Sequence, residues 1–234
     1  MNGTLQMRGG PTPHLDRPTI SSTTRAIALL LHGGREVGTT PVHPWNTTVL
    51  RMRPFAGTIS RRAPDVAVAR LRYRYRGWNG GDADPIDDVV WALDTLRVIA
   101  GDLPVVLVGH SMGGRAALAV AGDASVTGVV ALAPWLPRDE PVAQLTGREV
   151  VLLHGNRDRT TSPTGTAVYA ERAAATAGAV VSLRLARTGH TMLTRARVWH
   201  ELTARYVAAI TADEAIAAVV VATDGVHSTR SAAA

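Results

Sequence analysis

The sequence predicts an α/β domain in which a mostly parallel sheet is flanked by helices on both faces. Three observations predict it. Short apolar runs rich in β-branched residues alternate with longer segments of helical period from Ala26 to Thr211. Most of these runs are continuously apolar, as expected of strands covered on both sides. The length of 234 residues suits one domain of this class.

In chain order, the first expected strand is Ala26–Leu31 (AIALLL), followed by a helix over Pro44–Arg62. Val66–Tyr73 is the next strand; its stronger alternation puts it nearer a sheet edge or gives it a wetter face. Pro85–Ala100 has helical spacing, with Asp84 expected as its N-cap, Pro85 in the first turn and Gly101 at its end. Strand Pro104–Gly109 runs into an Ala-rich helix over Met112–Gly122, and Gly128–Ala133 and Glu149–His154 are two further buried strands. Ser162 and Pro163 open a helix expected to end at Gly178, Val180–Leu185 is the last strand, and Thr191–Ile210 the last helix. Residues 1–24 are expected to be a tail, 25–211 the α/β domain and 212–234 a partly disordered extension, in which Ala212–Thr223 either prolongs the last helix or packs as an extra element.

Composition narrows the function classes. Apolar residues at 46% and charged residues at 19% are ordinary for a globular chain. No apolar run approaches the roughly 18 residues of a membrane span, and the first 24 residues lack the apolar core of a signal peptide, so a soluble, cytoplasmic chain with no membrane partner is expected. The absence of cysteine excludes disulfides, thiolate metal sites and a cysteine nucleophile. All 25 basic residues are Arg, which excludes a lysine-containing P-loop. They are scattered, apart from Arg70, Arg72, Arg74 and Arg76 at strand period, so no nucleic-acid partner is expected. Gly80–Asp84 has a faint calcium-loop flavour without the ligand spacing of one, and a capped turn is the better reading. No cofactor and no metal are expected.

The chemistry concentrates in Val105-Val-Leu-Val-Gly-His-Ser111-Met-Gly-Gly114, a buried strand that enters a G-x-S-x-G turn and then a helix. Glycines on both sides of the serine permit a tight, strained turn that lifts Ser111 Oγ above the sheet edge. This stretch resembles the α/β-hydrolase family, and the resemblance spans about Ala26 to Ile210; a lidless serine esterase or a dienelactone-hydrolase-like member is the nearest type, although the latter's nucleophile is cysteine. The resemblance implies a triad in the order Ser, Asp or Glu, His. Ser111 is the implied nucleophile. The implied acid is Asp158, in the loop His154-Gly-Asn-Arg-Asp158 beyond a strand end, and the implied base is His190, in Arg187-Thr-Gly-His190 after the last strand. Asp139 and Glu140 follow an earlier strand and remain rival acids. A serine hydroxyl needs an imidazole to take its proton, and the imidazole needs a carboxylate to fix its tautomer. The resemblance extends to His32-Gly33-Gly34, implying an oxyanion hole formed by the backbone N–H groups of Gly34 and Met112.

Only Pro134–Arg148 stands where the family often inserts a lid, so no cap domain and an open cleft are expected. Arg35, Trp45, Trp78 and Trp135 are the candidate substrate-binding residues on its rim. The same rim is expected to hold Arg35, Arg76, Arg157 and Arg159, which would suit a carboxylate- or phosphate-bearing substrate. The expected activity is hydrolysis of a carboxylic ester or thioester of a small substrate. A non-hydrolytic member of the same fold, acting as a lyase, a cyclase or a ligand-binding protein, is the alternative.

Overall fold

A computed structural model describes residues 10–219 and 226–232. Its strands are β1 His14–Asp16, β2 Ala26–Leu31, β3 Val66–Arg72, β4 Val105–His110, β5 Val126–Leu132, β6 Glu149–Gly155, β7 Ala179–Leu185 and β8 Val226–Ala232. Its helices are α1 Thr47–Leu50, α2 Arg53–Arg62, α3 Asp84–Ala100, α4 Met112–Ala119, α5 Pro163–Ala173 and α6 Ala196–Thr211. One sheet runs in the order β1-β3-β2-β4-β5-β6-β7-β8, parallel throughout except for the two outermost strands, which pair antiparallel.

The period of two along each strand divides the core into two layers. Ile27, Leu29 and Leu31 pack with α3, α4 and α5 through Val89, Leu93, Ala116, Ala117 and Tyr169. Ala28 and Leu30 face α2 and α6, meeting Phe55, Ile59, Trp199 and Tyr206. Both faces are thus covered, which explains the unbroken apolar runs of the central strands. The chain winds outward from β2 to β3, then returns to β4 on β2's other side and continues from there. The C-terminal ends of β2 and β4 therefore flank the point where the winding reverses, where open α/β sheets leave a crevice.

Several elements differ from the sequence expectation. The helix expected over Pro44–Arg62 is broken into α1 and α2, with Pro54 in the first turn of α2, where its missing N–H is tolerated. Asp84 is not a cap: Ala83 precedes α3 in a left-handed conformation, and the Asp84 carboxylate instead accepts Asn79 Nδ2 at 2.7 Å. Ser162 does cap α5, accepting the Gly165 N–H at 2.9 Å. That helix ends at Ala173, before Gly178, whose N–H is used by the Arg148 carbonyl. The two stretches read as frayed tails each supply an edge strand, β1 beside β3 and β8 beside β7. Three residues are too few for a periodic signal, and VHSTRSA is polar, as exposed edges tend to be. After α6 the chain makes a short 3₁₀ turn at Ile216–Ala218 with Ile216 buried; residues 220–223 of the expected extra element lie outside the described residues. Between β5 and β6 there is only loop and a 3₁₀ turn at Ala143–Leu145, with no cap inserted. Among the described residues no helix is long and apolar enough to cross a membrane.

Candidate active site

β4 ends at His110, and the chain turns through Ser111 into α4. Ser111 has φ 54° and ψ −115°, a conformation that side chains rarely adopt. It is held there by its N–H on the Leu132 carbonyl at 2.9 Å and by its own carbonyl, which accepts the Trp135 N–H at 3.1 Å. The flanking glycines are required by contact. A Cβ on Gly109 would meet the Gly113 backbone, and one on Gly113 would meet the carbonyls of Leu31 and His32.

The loops after β4, β6 and β7 bring Ser111, Asp158 and His190 together. Ser111 Oγ lies 3.0 Å from His190 Nε2, and His190 Nδ1 lies 2.8 Å from Asp158 Oδ2. With Nδ1–H donating to the carboxylate, Nε2 is left as acceptor for the serine O–H. The other Asp158 oxygen accepts the backbone N–H groups of Thr160 and Thr161 at 2.8 and 3.0 Å. Oδ2 additionally receives His154 Nε2 at 3.1 Å and the Thr161 hydroxyl at 3.0 Å. Burial pushes this carboxyl's pKa up, but the hydrogen bonds from His154, His190 and the two N–H groups outweigh it and hold Asp158 well below the usual carboxylate range. The rival Glu140 is turned elsewhere, its Oε2 accepting Arg115 Nε at 2.8 Å.

Two further histidines buttress the site. His110 Nε2–H donates to the His190 carbonyl at 3.0 Å, and the two rings lie 4.9 Å apart. Burial pushes the His110 imidazole down to about 3, with the neighbouring His190 adding to the effect, so it is a neutral support at physiological pH. His32 donates from Nδ1 to the Gly33 carbonyl at 2.7 Å and accepts the Tyr73 N–H at Nε2, 3.2 Å away. Burial lowers its pKa to about 4, which preserves this neutral tautomer and fixes the bend of the Gly33–Gly34 loop.

Gly33 and Gly34 sit against the elbow: a Cβ on Gly33 would stand 3.4 Å from Ser111 Cβ, and one on Gly34 would strike the Met112 side chain and the Arg76 carbonyl. The Gly34 N–H donates to no described group, and Met112, first residue of α4, has one of the N–H groups that a helix leaves unpaired.

A sequence model described as "Alpha/beta hydrolase family" matches residues 28–232. The chain belongs to the alpha/beta hydrolase family. No curated protein matches it significantly. Among solved structures it is similar to Est1E from Butyrivibrio proteoclasticus with ferulic acid bound, at 11% identity and TM-score 0.64, covering 86% of this chain and 95% of that one. It is also similar to an α/β serine hydrolase without lid from Xanthomonas campestris, at 18% identity and TM-score 0.57, covering 83% and 88%. An alpha-beta serine hydrolase homologue from Coxiella burnetii aligns at 15% identity and TM-score 0.60, over 82% and 89%. At these identities the likeness speaks for the fold.

The rim of this α/β-hydrolase departs from the sequence expectation at its tryptophans. Trp78 is largely buried and lines a cavity with Arg115 and Glu140, separate from the one beside Gly33 and Gly34; it meets Trp135 edge-to-face at 6.0 Å, and the Arg115 guanidinium lies over both rings at 3.9 and 4.7 Å. That sandwich fastens loops to the scaffold. Trp45 is 67% exposed and stacks on His43. Arg35, Arg157 and Arg159 are exposed, and Arg35 lines a cavity beside the Gly33–Gly34 loop. Residues given no role from the sequence are His154 and Thr161. Only His154 carried a signal, standing at a strand end four positions before Asp158.

Proposed function

We propose that the chain is a serine hydrolase that cleaves a carboxylic ester or thioester of a small substrate. One observation carries this reading: the unbroken hydrogen-bonded chain from Ser111 Oγ through His190 to Asp158, with the serine strained at the crevice end of β4. Solved structures of similar fold include one titled as an esterase, from Pyrococcus furiosus, and serine hydrolases, which agrees with it.

In the proposed reaction His190 Nε2 takes the Ser111 hydroxyl proton as Oγ bonds to the carbonyl carbon. The oxyanion that develops is met by the N–H groups of Gly34 and Met112, at the positive end of α4. Collapse breaks the bond to the alcohol or thiol, and His190 returns the proton to that leaving group. Water, deprotonated by His190, then attacks the acyl-serine; the acyl–Oγ bond breaks, His190 returns the proton to Ser111 Oγ, and the acid is released. Asp158 stays ionised throughout and stabilises the imidazolium.

The test is a chain-length series of p-nitrophenyl esters with matched thioesters. Turnover by the wild type and its loss by at least about 10³-fold in Ser111→Ala, with the fold intact, are expected. Near-full activity in Ser111→Ala would overturn the reading.

A further inference from the structure

A cavity of about 160 Å³ opens beside the oxyanion loop, lined by Gly33, Gly34, Arg35, Asn46, Thr47 and Arg76 among others, with no Asp or Glu in its wall. The two arginines are brought together by the backbone, the Arg35 N–H donating to the Arg76 carbonyl at 2.8 Å. Most partly buried arginines in this fold have an evident partner. Arg74 meets Asp84, Asp87 and Asp88, and Arg115 meets Glu140. Arg70 meets Asp16, while Arg72 and Arg148 donate to backbone carbonyls. Arg35 and Arg76 make no ion pair or side-chain hydrogen bond with a described residue.

Arg76 Nε is moreover buried without a partner. A guanidinium that lines a cavity with no acidic or carbonyl partner among the described residues points to a ligand acceptor. The cavity wall thus carries two guanidinium groups and no carboxylate, and such planar forks are suited to carboxylate.

We propose that this cavity binds a carboxylate of the substrate through Arg35 and Arg76, so that the preferred substrates are short half-esters of dicarboxylic acids. The inference rests on Ser111 being the nucleophile. The cavity adjoins the glycines that would receive the oxyanion, so the bound carboxylate and the scissile carbonyl belong to one acyl group. The small volume, below the usual range for ligand pockets, admits the carboxylate and a few methylenes only. Neutral esters of the same length would leave the Arg76 donor unpaired, and discrimination of that kind is large.

The test compares monoethyl succinate, glutarate and adipate with the neutral ethyl esters of matched length, following ethanol release at low and at 0.5 M salt. The expected result is a kcat/KM at least tenfold higher for one half-ester than for its neutral match, shrinking with salt. That ratio should fall at least tenfold in Arg76→Gln, and in Arg35→Gln, an exposed position, should Arg76→Gln fail to fold. A ratio of one or less at low salt, or a ratio unchanged in both variants, overturns the proposal while leaving the nucleophile assignment standing. If no ester is turned over, glutarate binding to Ser111→Ala by calorimetry still decides: binding weakened at least tenfold by Arg76→Gln supports the site, and no binding overturns it.

Discussion

His154 Nε2 lies 3.1 Å from Asp158 Oδ2, the same oxygen that His190 Nδ1 approaches at 2.8 Å. The other His154 nitrogen is 2.8 Å from Thr166 Oγ1, so an Nε2–H tautomer satisfies both ends. The acid is gripped between two imidazoles. His154→Ala should lower stability at pH 7 by about 1–3 kcal/mol, the cost of leaving a buried acceptor short of a donor. Because Asp158 is held below its unfolded pKa, its stabilisation is present above the ordinary carboxylate range and is lost as pH falls through the depressed value. The deficit of the variant should therefore shrink in strong acid. Denaturant melts across pH check this, and equal stabilities at pH 7 would refute it.

Gly113 of the elbow and Gly81, in a loop distant from it, should respond very differently to one added methyl. Gly113→Ala places a Cβ against the Leu31 and His32 carbonyls, backbone that cannot yield, whereas a Cβ on Gly81 meets nothing within 4 Å. Gly113→Ala is expected to destabilise by about 3 kcal/mol or more and to abolish turnover, and Gly81→Ala to stay within about 0.5 kcal/mol of wild type. Thermal melts with ester assays distinguish them.

Asp88 on α3 is 1% exposed and accepts the Arg74 N–H at 2.9 Å. Burial raises its pKa to about 6, against the pull of Arg74. This is a carboxyl whose folded pKa exceeds its unfolded value, so the folded state holds the proton longer and stability falls as pH climbs between the two. Relative to wild type, Asp88→Asn should gain up to about 3 kcal/mol between pH 4 and pH 7. A pH-independent difference in melts would contradict it.

Arg115 holds Glu140, which is 5% exposed, while its guanidinium covers Trp78 and Trp135. Arg115→Leu strands a buried carboxylate and should cost about 3 kcal/mol, whereas Arg115→Leu with Glu140→Leu should recover most of it. A double-mutant cycle by urea denaturation measures the coupling, and its absence would show the pair to be idle.

What the sequence disclosed followed from how local each signal was. The central strands were legible because burial on both faces leaves an apolar run such as AIALLL, and the elbow because Gly109, Ser111 and Gly113 are contiguous. Asp158 and His190 could be placed at strand ends through the family resemblance, and the structure brings them within hydrogen-bond distance of one another and of Ser111. β1 and β8 were missed because edge strands are fixed by backbone pairing, which leaves little mark on side-chain pattern. That Trp78 lies under Arg115, 37 positions away in the chain, was not legible, because the contact is set by the tertiary fold. Arg76 was expected on the rim beside Arg35; its buried, unpartnered Nε is a tertiary fact.

The central claim is that Ser111 is an activated nucleophile, and reaction with a fluorophosphonate probe tests it most directly, since an unactivated serine does not react. Intact-mass and peptide analysis should find a single adduct on Ser111 in the wild type, and none in Ser111→Ala or, on the same timescale, in His190→Ala. A wild-type protein that stays unlabelled, or one labelled equally in His190→Ala, would contradict the account.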